Sequence, residues 1–519
     1  MMRLKLLLAM VPALLAAPAM ASTQVDPARM SPLVDQAVQH YRLPGIAVGV
    51  IEDGRIVQRI TRGELAVGEG AAVDSDSLFM IASNSKAMTA AVIARLVQAG
   101  KLRWDDPVTK YLPQFRMHDA WVTRNMQVRD LLIHNSGLGL GAGDLMLWPE
   151  PNHFDRDDII AGLAHLKPAG SFRSDYAYDN LLYVVAGEVA AAAAGKPYAQ
   201  LVREEIFQPL GMQRCQVGQW SPTTVGNIAR PHHREQGRNV ASAADPARVD
   251  DFPSMAAGGI RCSLDDMLRW MQVLLDPAQA PGWLDDIQRR ALWTAHMPMP
   301  ISQRQREWDN THFSAYGYGW RLSDMDGQWR VAHTGTLSGM YSSLALLPDR
   351  KTGVVMLING EAEDARTALM QAMLKHYTAP QAGHDVLHYA RLMEQAQAQR
   401  RAQGHVRPLL SDQQPARAGE LMAQLGTWRD PWFGEVTLCA HEGKVLFASA
   451  KSPRMRGQVM RSGQQWFVQW QELGEDAEAW LEFSSAGKHP VMHLRAIDPD
   501  IDFSYDYQDL EFQRVGDCG

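Results

Sequence analysis

Apolar positions along this chain follow three successive patterns. Gly45 to Ile51 and Ile56 to Ile60 are short apolar runs around Asp53-Gly54, the arrangement that marks a β-hairpin. From Ala87 to Ala94 no charged residue occurs, so a helix there has no wet face and is expected inside a large domain, with Gly100 as its C-cap. After Tyr316 the runs 317–322, 329–332, 341–347 and 354–357, separated by glycine, proline and aspartate turns, read as strands. The N-terminal hairpin lacks partners of its own, so these late strands are expected to complete its sheet. The predicted result is an α/β arrangement with a helical insert, whose helices include 198–207 and 265–275.

A polar, glutamine-rich helix is expected from His384 to Gln403, followed by a proline-containing linker to Pro415. Beyond it, Val436-x-Leu438 and Val445-x-Phe447 flank Glu442-Gly443, and Val459 and Trp466-x-Val468-x-Trp470 flank Ser462-Gly463. Short alternating strands at regular spacing predict an antiparallel barrel or sandwich. Trp428, Trp432, Trp466, Trp470 and Trp480 supply its bulk and read as packing rather than a ligand cage.

At 519 residues the chain exceeds one ordinary core, and its 46% apolar content excludes a disordered protein. Residues 1–21 carry Arg3 and Lys5, an apolar run from Leu6 to Ala17, and Ala19-Met20-Ala21, which reads as a secretory signal peptide cut before Ser22. A retained membrane anchor is the alternative reading of this run; with the leader cut, no membrane anchor is expected, and no cysteine follows the site to carry a lipid. Removing the two basic residues takes the formal charge from −7 to −9, which gives no electrostatic case for nucleic acid. Export permits disulfides among Cys215, Cys262, Cys439 and Cys518. Three full pairings are open; Cys215–Cys262 with Cys439–Cys518 is preferred because each pair stays within one domain.

Candidate chemistry begins where the buried helix begins. Ser83 and Lys86 stand three residues apart in Ser83-Asn84-Ser85-Lys86, on one helical face. A serine hydroxyl needs a base to become a nucleophile, and burial can lower a lysine from about 10.4 toward neutrality. A second Ser-x-x-Lys, Ser485 to Lys488, reads as a turn with no helix to align it. Gly137, Gly139, Gly141 and Gly143 fail the phosphate-loop spacings and read as a mobile surface loop, with His134 before it in a hydrogen-bonded turn. Ala256-Ala257-Gly258-Gly259 reads as a close backbone approach. His232-His233 lacks metal-ligand spacing, so neither metal nor cofactor is expected.

Two more features align with the first: Tyr178-Asp179-Asn180 in a loop before a helix, and His333-Thr334-Gly335-Thr336 at the edge of the late sheet. Together they resemble the class C β-lactamase and DD-peptidase superfamily of penicillin-recognising serine hydrolases, with S-x-x-K, Y-x-N and K/H-T-G elements. The resemblance covers roughly residues 28–375, and residues 416–519 resemble a lipocalin-like barrel. It implies a β-lactamase/transpeptidase-like antiparallel sheet flanked by helices, a helical subdomain, and a small antiparallel β-barrel. The implied organisation is a signal peptide over 1–21, a hydrolase domain over 22–380, a helical linker over 381–415 and the barrel over 416–519. The barrel is a possible route to a homo-oligomer.

Position by position, the resemblance implies Ser83 as nucleophile and Lys86 and Tyr178 sharing the proton work, with the base undecided between them. Asn180 is expected to orient the lysine or the substrate amide. His333, Thr334 and Gly335 are expected to bind substrate, and the N–H groups of Ser83 and Thr336 to form the oxyanion hole. Histidine at the third motif is similar to D-peptide hydrolases, so small D-amino-acid peptides rank first as substrates, then other amides and esters. Alternatives are a true β-lactamase or an inactive relative that binds cell-wall peptides. Ala82 stands where glycine is commoner in the first motif, a change not expected to remove function.

Overall fold

Asp53 and Gly54, both with positive φ (49° and 75°), make the tight turn that joins β1 (Gly45–Glu52) to β2 (Arg55–Gly63). That turn has the twist which paired antiparallel strands require. The computed structural model describes residues 30–484 and 490–518. The expected leader at 1–21 and the turn at Ser485 to Lys488 lie outside the described residues.

Six further strands extend the hairpin: β3 (Met297–Pro298), β4 (Ser314–Tyr316), β5 (Arg321–Met325), β6 (Gln328–Leu337), β7 (Met340–Leu347) and β8 (Thr352–Ile358). The sheet order is β2-β1-β8-β7-β6-β5-β4-β3, antiparallel throughout. The late strands therefore complete the hairpin's sheet, with Ile46 opposite Ile358 and Val50 opposite Val354. The run expected at 317–322 differs. Gly317 N–H donates to the Trp320 carbonyl at 2.8 Å, so a turn occupies 317–320 and the strand starts only at Arg321.

Helices α1 (Met30–Tyr41), α2 (Ser85–Gln98), α3 (Leu181–Ala194), α4 (Leu264–Leu275), α5 (Glu363–Thr378) and α6 (Val386–Ala402) pack around this sheet. Side chains alternate across a strand, so β1 serves two cores at once. Ile46, Val48 and Val50 pack with Leu33 and Val34 of α1 and Leu369 and Met373 of α5. Ala47 and Ile51 face the larger core that holds α2, α3 and α4. Gly49 is required on that face, because a Cβ there would lie 2.7 Å from a methyl of Leu268 on α4.

Helix α2 is buried along nearly its whole length, as its lack of charge predicts. It closes at Gly100 (φ 68°), where the N–H groups of Gly100 and Lys101 bond the Val97 and Leu96 carbonyls. Its start differs from the simple expectation. Ala82–Asn84 form a single 3-10 turn, and the α-helix proper begins at Ser85. Ala82 sits at φ 47°, a region that costs a residue with a Cβ about 1–2 kcal/mol.

Residues from 426 onward close an eight-stranded antiparallel barrel, in which Arg456–Ser462 pairs with both Lys444–Ser449 and Gln465–Trp470. Trp428, Phe433, Phe447 and Phe512 are buried within it, and Glu442-Gly443 and Ser462-Gly463 are the turns of two of its hairpins. Both expected disulfides form: Cys439–Cys518 ties two barrel segments, and Cys215–Cys262 braces the bridge between Phe79 and Cys262 just ahead of Ser83.

The barrel reaches back onto the hydrolase region. Asp506 accepts N–H bonds from Gly143 (2.6 Å) and Leu145 (3.1 Å), and the Phe503 carbonyl lies where a Cβ on Gly141 would come within 2.5 Å. The glycine-rich stretch is consequently not a mobile surface loop. Residues 141–147 are buried between the barrel and the nucleophile's helix layer. Among the described residues no helix is long and apolar enough to cross a membrane.

Candidate active site

Four of the residues singled out from sequence meet at one point. Lys86 Nζ lies 3.0 Å from Ser83 Oγ, 2.7 Å from Asn180 Oδ1 and 2.8 Å from the Ala257 carbonyl. The Tyr178 hydroxyl donates to Ser83 Oγ at 2.8 Å. Lys86 is fully buried, and that burial lowers its pKa from 10.5 to about 7. The shift corresponds to roughly 5 kcal/mol of bias toward the neutral amine. The three contacts serve both protonation states: the ammonium donates to all three groups, and the neutral amine donates to Asn180 and Ala257 and turns its lone pair to the Ser83 hydroxyl. Burial drives Tyr178 the other way, raising its pKa and keeping the phenol protonated, although Arg321 opposes this.

Local structure explains the placement. The Ile81 carbonyl accepts from Ser342 Oγ on β7 at 2.7 Å, and Asn84 Nδ2 donates to the same hydroxyl at 2.7 Å. Ile81 N–H bonds the Ile260 carbonyl at 3.0 Å. The nucleophile's turn is thus pinned between the sheet and the 256–260 segment. Gly335 is obligatory on β6 for the same reason: a Cβ there would lie 2.3 Å from the Ile81 carbonyl. The small residues at 256–259 also gain a second role, since the Ala257 carbonyl is one of the three groups that hold Lys86.

The third motif is placed beside this group rather than bonded to Ser83. His333 is buried, with Nε2 2.8 Å from the Tyr316 hydroxyl and Nδ1 2.7 Å from the Thr334 carbonyl. Next to a carbonyl, Nδ1 must carry the proton, so Nε2 accepts from the tyrosine. Burial, with Arg321 and Lys86 nearby, holds the ring neutral by pushing its pKa well below 6.5. Strand β6 pairs with β5 only as far as Ala332, so His333 to Leu337 have β7 on one side and an open edge on the other. Thr336 is exposed on that edge, and its hydroxyl accepts from Arg366, as does the Gly335 carbonyl (both 2.8 Å).

Several residues of this neighbourhood were not identified from sequence. Arg321, at the start of β5 where the β5–β6 pairing ends, donates to Thr334 Oγ1 at 2.8 Å and stands 5.7 Å from the Tyr178 ring centre. It is only partly buried, and tyrosines 176, 316 and 178 surround it, with no carboxylate partner among the described residues. Asp144 is buried and accepts from Asn180 Nδ2 at 2.8 Å, while its other oxygen, Oδ1, has no hydrogen-bond partner among the described residues. Burial raises its pKa to about 8. His134 does more than close a turn. Its Nδ1 accepts the Asp179 N–H at 3.1 Å, and its ring packs 4.3 Å from that of Tyr178. Nothing in the local sequence marks Arg321. The glycine cluster around Asp144 was visible but carries no sign of what it faces. Among the described residues no cluster of three or more His, Cys, Asp or Glu side chains is placed to hold a metal ion.

A serine paired with a buried lysine and a tyrosine, beneath an open strand edge of an antiparallel sheet, defines a serine hydrolase. Residues 30–377 match the family described as Beta-lactamase, and the chain belongs to that family. It is similar to Penicillin-binding protein 4 of Amycolatopsis lactamdurans, 28% identical over 346 residues, 64% of this chain and 86% of that protein. It is also similar to Esterase EstB of Burkholderia gladioli, 30% identical over 364 residues (64% and 89%). D-alanyl-D-alanine-carboxypeptidase/endopeptidase AmpH of Escherichia coli K12 is 26% identical over 352 residues (64% and 85%). Among solved structures, the octameric penicillin-binding protein homologue from Pyrococcus abyssi shares the fold with a TM-score of 0.59 at 18% identity, covering 94% of this chain and all of that one.

Proposed function

We propose that this protein hydrolyses peptides with a free C-terminal carboxylate, D-amino-acid peptides first, through an acyl-enzyme on Ser83. The observation that carries the substrate class is Arg321. It is a permanent cation with no carboxylate of its own among the described residues, held by Thr334 at the open edge of β6. An extended substrate pairing with that edge would bring its terminal carboxylate to Arg321 and Thr334. His333, being neutral, supports the tyrosine layer rather than the substrate's charge.

In this reading Lys86 is the base. Its lone pair takes the Ser83 proton as Oγ bonds to the substrate carbonyl carbon, and the oxyanion rests on the N–H groups of Ser83 and Thr336. Tyr178 gives its proton to the departing amine and recovers one from Lys86. Water then attacks the ester by the reverse route and releases Ser83. The two disulfides and the apolar leader at 1–21 support a location in an oxidising compartment outside the cytoplasm. Ester hydrolysis is the second reading, favoured by the 30% identity to Esterase EstB.

The test compares an N-acylated D-Ala-D-Ala dipeptide with its C-terminal amide and with an aryl ester, reading the acyl-enzyme by intact-protein mass. The expected result is a preference for the free acid, with no adduct in Ser83→Ala. An adduct that survives in Ser83→Ala overturns the mechanism. Equal turnover of acid and amide overturns the substrate class, and turnover of the aryl ester alone establishes the second reading.

A further inference from the structure

Of the connections between barrel strands, the longest among the described residues spans 497–511, fifteen residues between Val491–Ala496 and Phe512–Gly516. Connections of that length without a strand or α-helix of their own are uncommon and usually functional. This one ends in the active site. Ser504 Oγ donates to Asp144 Oδ2 at 2.8 Å, the oxygen that also accepts from Asn180. The path continues from Asn180 Oδ1 to Lys86 Nζ and from there to Ser83 Oγ, with every step 3.0 Å or less. Next to Ser504, the Phe503 ring stands edge-on to the Tyr178 ring at 5.8 Å and is 39% exposed, so it touches the tyrosine and still presents surface to solvent. Asp506 fixes the turn by its two bonds to Gly143 and Leu145, and Gly141 N–H in turn bonds the Tyr178 carbonyl at 2.8 Å.

The barrel does not depend on Ser504 to stay docked. Lys451 pairs with Asp158, His153 N–H bonds the Lys451 carbonyl at 2.7 Å, Arg454 bonds the Glu150 carbonyl at 2.9 Å, and Lys167 pairs with Glu511 at 2.7 Å. A serine beneath several independent attachments, aimed at the carboxylate that orients Asn180, has a more specific use than holding two domains together.

We infer that the barrel supplies two working residues to the hydrolase site. Ser504 is a positioning residue that holds Asp144, and through it Asn180 and the Lys86 amine. Phe503 is the wall beside Tyr178 against which the substrate's side chain packs. This rests on Ser83 being the nucleophile, as proposed above. The groups facing Lys86 are Asp144 and Asp179, Tyr178 and Tyr183, His134 and His333, and Arg321. Loss of the Ser504 hydroxyl frees Asp144 Oδ2 and lets Asn180 turn its Oδ1 away from Lys86; an acceptor at 2.7 Å favours the ammonium, so its loss moves the amine's titration to lower pH.

The test uses the full chain carrying Ser504→Ala, Ser504→Thr or Phe503→Ala. It reads labelling of Ser83 by a fluorophosphonate across pH and, separately, kcat and KM on a series of N-acyl groups of increasing size. Ser504→Ala is expected to slow labelling about tenfold and shift its rising limb to lower pH, with Ser504→Thr restoring both. Phe503→Ala is expected to raise KM for bulky acyl groups several-fold with kcat nearly unchanged. Should Ser504→Ala fail to fold, Ser504→Cys, of similar shape but a weak donor, carries the same comparison. Ser83 labelling in Ser504→Ala at the wild-type rate and pH profile overturns the positioning role. Equal slowing in Ala and Thr variants with an unmoved limb reduces it to structural support, which also overturns it. A KM series unchanged in Phe503→Ala removes the wall. Labelling that persists in Ser83→Ala would instead defeat the function proposed above.

Discussion

The two corners of the cleft handle positive charge in opposite ways. At the Ser83 corner a lysine is sealed among apolar helices, and burial lowers its pKa to about 7. At the β6 edge an arginine stays partly accessible with no anion beside it among the described residues, while the histidine of the third motif is buried and uncharged. Lysine can shed its proton when desolvated, whereas arginine cannot. The fold puts a titratable amine beside Ser83 and a fixed cation at the strand edge. Residue type alone would place the charge on His333, but burial keeps that ring neutral, and the cation is Arg321, twelve residues earlier on the neighbouring strand.

The largest effect is expected where that contrast is erased at the buried corner. Lys86→Met keeps the apolar packing and removes the lone pair, so fluorophosphonate labelling of Ser83 should fall about a thousandfold. A loss below tenfold would shift the base role to Tyr178. Arg321→Ala probes the opposite corner. Charge-assisted bonds to a carboxylate are worth about 1.5–3 kcal/mol, so kcat/KM on the free-acid dipeptide should fall about tenfold to a hundredfold while the amide is nearly unaffected. His333→Gln should leave the acid-to-amide preference in place, and its loss there would return the carboxylate site to His333.

The third expectation concerns pH. Lys86 works as a base only when neutral, and burial sets its pKa at about 7. The rate of Ser83 acylation should therefore rise about tenfold per pH unit below 7 and level off above it, before Tyr178, whose pKa is raised, loses its proton. A rising limb near pH 10 would mean that the lysine is not desolvated in solution. The smallest effect is expected at Ala82. Its φ of 47° is strained for a residue with a Cβ, so Ala82→Gly should stabilise the chain by about 1 kcal/mol in urea unfolding. Destabilisation would mean that the Ala82 methyl is worth more in packing than its backbone strain.

Much of the fold was legible because its signals are local. Asp53-Gly54 between apolar runs marks the hairpin, and the uncharged stretch at 87–94 marks a buried helix. The alternating strands after residue 425 mark the barrel. Ser83, Lys86, Tyr178 and Asn180 were legible as well, because each lies in a short motif and the motifs keep their order. The misreadings have different causes. The glycine-rich stretch around 137–143 reads as a surface loop on composition, but residues 166–181 and the barrel turn at 503–506 close over it. The strand expected from Gly317 begins at Arg321 because Gly317 and Trp320 close a turn.

What the chain's order of residues determined by itself was the set of elements, the family motifs and the completion of the hairpin's sheet by late strands, which join it through β1. What only the tertiary structure decided was charge and contact: a Lys86 whose pKa burial brings down to about 7, a His333 that burial keeps neutral, an Arg321 with no carboxylate partner among the described residues, and a barrel serine bonded to Asp144. Secondary structure follows from torsions and periodicity a few residues long. Protonation depends on desolvation summed over every segment that packs around a group, and for Lys86 those segments are drawn from residues 83 to 333. No single stretch of sequence contains that sum.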